Sequence, residues 1–374
     1  MRKLSAIVGN DSRRAYQVVT LGDLGLTWQP ALNYMVKADS REVVLKVENL
    51  QARGVNNVTW ISCPEIEVGD VVMPIPGRNM VDVSYRRSDA HHALFLTNRC
   101  NSNCLMCSQP PTKHDDGWLV DEAIDVIQHM PDSPRSLGIT GGEPLLLGSD
   151  LRRVIDAIEL AHPNTRIDLL TNGRLLSNPD VVQSVLEGLS AKVNWLVPLY
   201  GHAHMLHDFV VQAPGAFEET LEGFLRLQAH GQAIQLRIVL IEPVLEYLAT
   251  LCGFIGRNLP FVREVALIAC EPIGFALANR DMCEIDLKAW ESELLSASKT
   301  LRRHGVRHVF MNAPLCSLPA DLWQFAHRSI SDWKQVYAPE CDGCAVRSSC
   351  SGLFAWHERG WKPTKITRIE EELL

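Results

Sequence analysis

Three cysteines fall within eight residues, Cys100, Cys104 and Cys107, in the run Thr97-Asn-Arg-Cys-Asn-Ser-Asn-Cys-Leu-Met-Cys-Ser-Gln109. Spaced C-x3-C-x2-C, they supply three thiolates to a four-iron cluster and leave one iron without a protein ligand, where a small molecule can be activated. Structural zinc is the alternative, although zinc usually draws its cysteines in C-x2-C pairs. A second set, Cys316, Cys341, Cys344 and Cys350, is spaced C-x24-C-x2-C-x5-C. Four thiolates can ligate every iron of a second, closed cluster. A C-x2-C pair with two further cysteines also suits zinc, and spacing leaves both open. Cys63, Cys252, Cys270 and Cys283 complete the 11 cysteines and read as buried or incidental thiols.

Gly141-Gly142-Glu143-Pro144 follows the apolar run Leu137-Gly138-Ile139-Thr140 and precedes a helical segment at Asp150–Leu160. Paired glycines at a strand exit let the backbone approach a ligand closely, so carbonyls there, with Glu143, could meet an ammonium group. Taken together, the cysteine run and this GGEP motif resemble the radical S-adenosylmethionine (SAM) enzymes. The resemblance implies that Cys100, Cys104 and Cys107 hold a [4Fe-4S] cluster. It further implies that the open iron is chelated by SAM, whose amino group is held by Gly141, Gly142, Glu143 and Pro144. Asn172, in Thr171-Asn172-Gly173, is similar to a third-strand turn of that family and is equally a common structural turn. Arg237 interrupts an apolar strand, where an inward charge must be paired. It could neutralise the SAM carboxylate or face solvent. Gln109 is expected near the cluster. Pro198-Leu199-Tyr200-Gly201 stands where many relatives carry serine and an acidic residue, a departure from the family pattern.

The surrounding elements alternate strand and helix. Strands are expected at His92–Thr97, Leu137–Thr140, Arg166–Thr171, Val193–Leu199, Ile234–Ile241 and Val265–Ala269. Helices are expected at Val120–Met130, Asp150–Leu160, Ala216–Gln228 and Val244–Ile255. Six strand–helix repeats imply parallel strands with right-handed crossovers, matching the partial (β/α)6 barrel that the resemblance implies. The fold class expected is α/β: that barrel over 89–311, a small β-rich module over 1–88, and a cysteine-rich auxiliary-cluster extension over 312–374. The first module is expected to contain strands at Glu42–Glu48, Val58–Ser62 and Val68–Ile75, with a task of covering the barrel or holding a peptide at a sheet edge.

A formal net charge of −8 argues against broad binding to nucleic-acid backbones. No stretch approaches a membrane span, and the N-terminus lacks a signal peptide's apolar core, so a cytoplasmic location with reduced thiols is expected. His202, His204 and His207 lack a fourth ligand nearby and read as a loop over the barrel mouth, with His207-Asp208 available for proton transfer.

The run Leu96–Pro111, with Ser108-Gln109-Pro110-Pro111 as its distinctive end, the preceding Tyr85–His92 and the C-terminal cysteines look like the maturases of the His-Xaa-Ser peptide system. This resemblance implies an oxidoreductase that cleaves SAM to a 5′-deoxyadenosyl radical and modifies a ribosomally made precursor peptide. Its implied partners are a second radical SAM maturase and an electron donor such as a flavodoxin or ferredoxin. Two other readings remain: a methylase or RNA-modifying enzyme, with Cys270 as the loose candidate for a methyl-accepting cysteine, and a non-catalytic iron–sulfur scaffold or electron carrier.

Overall fold

The computed structural model describes residues 2–189, 193–357, 361 and 365–370. The chain forms two compact units: Met1–Leu96 with Asp116–Ile139 and Asp150–Ile167, and Thr97–Asp115 with Thr140–Ser149 and Asp168–Leu374. Among the described residues no helix is long and apolar enough to cross a membrane.

The first unit is built on a seven-stranded sheet. Its strands are β1 (Arg2–Ser5), β2 (Ile7–Val8), β3 (Tyr16–Val19), β4 (Tyr34–Lys37), β5 (Val58–Ser62), β6 (Val71–Pro74) and β7 (Met80–Tyr85), ordered β1-β7-β6-β3-β4-β5-β2. The two outer strands belong to one segment. Arg2–Ser5 pairs antiparallel with β7, and after the buried Ala6 the chain pairs antiparallel with β5 through Ile7 and Val8. The N-terminal segment therefore supplies both terminal strands of the sheet. Tyr16, Met35, Ile61, Val72 and Val81 fill one core beneath it.

Glu42–Glu48 is a helix, not the expected strand. Ser40 caps a helix at Arg41–Ala52 by accepting from the Val43 amide, and Val44 and Val47 are buried while Leu50 packs on the same core. That apolar spacing suits a helix, and the capping serine outweighs the β preference of the three valines. Within the same unit the helix Trp118–His129 is tied down by polar contacts. Arg13 bridges Asp82 at 3.1 Å and Glu122 at 2.5 Å, and the Asn33 amide donates to His129 Nε2 at 2.8 Å.

The second sheet has eight strands: β8 (His92–Phe95), β9 (Ser136–Thr140), β10 (Arg166–Leu170), β11 (Val193–Pro198), β12 (Ala233–Leu240), β13 (Glu264–Ala269), β14 (His308–Met311) and β15 (Ala326–His327). Their spatial order follows the chain, as successive strand–helix units require. The fold is α/β, with the parallel sheet of a partial radical SAM-type barrel and a cysteine-rich C-terminal region. From β11 to β15 every pairing is parallel. Two strands beyond the expected six, β14 and β15, extend the sheet. The helix expected at Val244–Ile255 is split into Glu242–Leu245 and Leu248–Asn258, with Tyr247 leaving helical geometry between them.

Along β12 the odd-numbered residues Gln235, Arg237 and Val239 share one face, while Ile234, Leu236, Ile238 and Leu240 are buried on the other. Register sets Arg237 level with Pro198 and Ala266.

Candidate active site

The cysteine loop is fixed to the second unit by its own backbone. Gly142 N donates to Thr97 O at 2.6 Å, and Glu143 N donates to Arg99 O at 2.8 Å. A methyl group on Gly142 would lie 2.2 Å from Arg99 O, and one on Gly141 2.6 Å from Thr97 O, so only glycine permits this contact. Asn103 and Leu105 donate backbone bonds to Val211 and Val210, and Leu105 and Met106 are buried. The GGEP turn and the cysteine loop are thus one packed substructure.

Glu143 staples this substructure to the turn after β10. Its carboxylate is buried. Oε1 accepts from Leu145 N at 2.9 Å and Thr171 Oγ1 at 2.5 Å, and Oε2 accepts from Asn172 N at 2.6 Å. Burial pushes the carboxyl pKa up, while these donors and the Arg174 charge pull it back. Asn172 Nδ2 donates to Asn101 Oδ1 at 2.6 Å. Arg174 Nη1 reaches Asn101 O and Ser102 Oγ, and its Nε pairs with Glu219 at 2.6 Å. Arg174 was not singled out from sequence, although its place two residues after Asn172 in the same turn is the available signal.

Cys100, Cys104 and Cys107 lie within electrostatic reach of one another. Burial, with Glu143 and Cys107, pushes Cys100 up to about 11; burial, with Cys107 and Cys100, pushes Cys104 up to about 12. Cys107 Sγ donates to Gln109 O at 3.1 Å, so Gln109 takes part through its backbone while its side chain is exposed. Three partly buried thiols that resist ionisation by themselves form a donor set that a cationic cluster would convert to thiolates. The residues fit such a group. Among the described residues no three histidine, cysteine or acidic side chains converge on a single-ion site. A four-iron cube does not ask for that, because it anchors each thiolate on a different iron.

Tyr200 and Arg237 act on one another electrostatically, and Tyr200 also lies within reach of the first cysteine set. The Tyr200 phenol feels Cys104, Cys107, Cys270 and Arg237, and burial holds its pKa far above the ordinary value. Arg237 is ringed by protein yet keeps partial solvent access, and burial lowers its pKa. Its side chain makes no hydrogen bond or ion pair among the described residues. Tyr200 and Asp168 are the groups that act on it electrostatically.

The three histidines do not form the expected loop. His204–Val211 is a helix, and Asp208 caps the chain after it by accepting from Gly215 N and Phe217 N. His207 is buried, stacks on Tyr200 at 6.0 Å and accepts the Tyr200 amide at Nδ1, 3.1 Å away. Burial lowers its pKa from 6.5 to about 4, with Arg174 adding to the fall and Asp208 opposing it. The folded protein therefore keeps this ring neutral. Its contribution to stability is complete above pH 6.5 and is lost as pH falls toward 4, by about 3 kcal/mol. Urea unfolding between those pH values should be steeply pH-dependent in wild type and less so by that amount in His207→Gln; equal slopes would contradict the assignment.

Cys316, Cys341, Cys344 and Cys350 line one cavity together with Tyr337 and Val346. Two backbone amides, Leu315 N at 3.3 Å and Gly352 N at 3.4 Å, donate to Cys350 Sγ, a setting that favours an anionic sulfur. Burial raises the Cys316 and Cys341 thiols. Cys63 and Cys252 are buried core thiols, as expected.

Residues 94–246 match the model of the Radical SAM superfamily. Among curated proteins the chain is 27% identical over 162 residues to an uncharacterized protein of Methanocaldococcus jannaschii, covering 42% of this chain and 55% of that one. It is 31% identical over 106 residues to GTP 3′,8-cyclase of Desulforamulus reducens, covering 26% and 31%. The chain thus spans about half or less of the length of these relatives. Solved structures similar to it include a radical SAM methyltransferase from Sphaerobacter thermophilus, at 15% identity and a TM-score of 0.42 over 64% of this chain and 68% of that one. Another is native anSMEcpe with bound AdoMet, at 14% identity and a TM-score of 0.44 over 58% and 62%.

Proposed function

We propose that this protein is a radical SAM maturase that modifies a ribosomally synthesised peptide of the His-Xaa-Ser type. The carrying observation is the joining of the Cys100–Cys107 loop to the GGEP turn by Gly142 and Glu143. When bound, a reduced cluster at Cys100, Cys104 and Cys107 supplies the electron that splits SAM into methionine and a 5′-deoxyadenosyl radical. The chain's own residues do the rest. Carbonyls of the Gly141-Gly142 turn take the SAM ammonium, since the Glu143 carboxylate already serves three donors. Arg237 takes the SAM carboxylate, and Asn172 braces the loop through Asn101. Cys316, Cys341, Cys344 and Cys350 hold an auxiliary [4Fe-4S] cluster, a reading supported by their shared cavity and the two amides aimed at Cys350. On this reading 1–88, 89–311 and 312–374 are the N-terminal module, the reaction domain and the auxiliary-cluster module.

The peptide assignment rests on the likeness of Tyr85–His92, Leu96–Pro111 and the C-terminal cysteines to the His-Xaa-Ser maturases. A precursor peptide with His-Xaa-Ser repeats, incubated with reduced protein and SAM, should change mass by a discrete amount. A peptide left unaltered while SAM is consumed would overturn the substrate assignment and leave SAM cleavage standing. Arg237→Ala should weaken SAM binding by about 10- to 100-fold, the worth of one charge-assisted contact. Equilibrium binding to the reconstituted protein measures this, and unchanged affinity would remove Arg237 from the site.

A further inference from the structure

Asn312 follows β14 at φ +61° and is one of the two non-glycine residues at positive φ among the described residues. One side chain holds it there. Asn312 N donates to Ser329 Oγ at 2.7 Å, and Ser329 Oγ donates to Asn312 Oδ1 at 2.8 Å. A left-handed residue other than glycine persists only where its surroundings enforce it, and such residues collect at functional sites. The chain then enters the turn Leu315–Ser317, which is fixed several times over. Ser317 N donates to Pro314 O at 2.9 Å, and Trp323 Nε1 donates to Leu315 O at 3.0 Å and to Leu318 O at 3.1 Å. Leu315, Ser317 and Leu318 are buried. What this braced turn presents is the Leu315 amide, 3.3 Å from the sulfur of Cys350. The second amide on that sulfur, Gly352 N at 3.4 Å, also belongs to left-handed backbone, at φ +67°, where a Cβ would stand 2.7 Å from Val336 O.

We propose that Cys350 is the ligand through which the protein tunes the auxiliary [4Fe-4S] cluster to accept an electron, with Asn312 as the positioning residue that aims the Leu315 amide at its sulfur. The inference rests on the auxiliary-cluster reading given above. The Leu315 and Gly352 amides place the positive ends of two N–H dipoles beside a sulfur whose negative charge grows on reduction. They therefore stabilise the reduced state more than the oxidised one and raise the reduction potential. One electron from the reductant enters the iron–sulfur core; no bond is made or broken, and both amide protons stay on nitrogen. Asn312 acts only through Leu315, by keeping the backbone in the conformation that turns this amide toward Cys350.

The test is an anaerobic redox titration, followed by electron paramagnetic resonance, of the full-length chain carrying Cys104→Ala, which removes a ligand of the first cluster and leaves the auxiliary one. Adding Asn312→Val should shift the potential to a more negative value, because a β-branched side chain resists φ +61° and the Leu315 amide turns away from Cys350. Asn312→Gly, which is free at positive φ, should titrate like its parent, and Asn312→Ala should fall between the two. Iron content should stay at about four per chain throughout. If Asn312→Val does not fold, the difference between the alanine and glycine variants decides. One potential shared by parent and variants at full iron load overturns the inference and leaves the auxiliary cluster standing. A parent that takes up no iron overturns the auxiliary-cluster reading itself, and the inference with it.

Discussion

Cys104→Ala is expected to abolish SAM cleavage and to cut bound iron by about half, from two four-iron clusters to one. Cys104 is the most deeply set of the three thiols, pushed up to about 12 by burial and by its two cysteine neighbours. Removing it leaves two ligands, too few to keep the cluster. Cys344→Ala should show the opposite pattern. It removes a ligand from the cavity shared by Cys316, Cys341 and Cys350, so iron again falls by about half, while SAM cleavage driven by a chemical reductant continues. Iron analysis paired with 5′-deoxyadenosine assay on both variants separates the two sites. Loss of cleavage in Cys344→Ala with the first cluster intact would assign the auxiliary set a direct part in SAM chemistry.

The second large effect is on stability. Glu143→Ala should destabilise the fold by about 4 kcal/mol, because the buried donors Leu145 N, Thr171 Oγ1 and Asn172 N would lose their acceptor, each at about 1–3 kcal/mol. For a domain of this size that corresponds to a melting point lower by about 10 °C. Glu143→Gln retains one acceptor oxygen but turns an amide N–H₂ toward a donor, so it should recover only part of the loss. A melting point within a degree or two of wild type for Glu143→Ala would show that the GGEP turn is held without its carboxylate.

These expectations draw on features of unequal visibility in the sequence. Cys100, Cys104 and Cys107 and the GGEP turn could be read from spacing because local chemistry dictates them: thiolate number sets the cluster, and close backbone approach demands glycine. The principal strands of the eight-stranded sheet could be read because apolar runs alternate with amphipathic helices. The direction of the Glu143 side chain could not be read, since it depends on the amides of a turn 29 residues away in sequence. His207 resembled a proton-transfer group in sequence and is a neutral structural acceptor, a difference made by burial against Tyr200. The helix at Arg41–Ala52 was hidden by its valines, whose β preference masked a capping serine and helical spacing. The pairing of Arg2–Ser5 with β7 and of Ile7–Val8 with β5 is long-range, and no local pattern signals it.

The most direct measurement is 5′-deoxyadenosine formation by wild-type protein, reconstituted anaerobically with iron and sulfide and supplied with SAM and a strong reductant, beside Cys107→Ala treated identically. Product from wild type and none from the variant is the predicted result. No product from a wild type fully loaded with iron would contradict the assignment of SAM cleavage to this site.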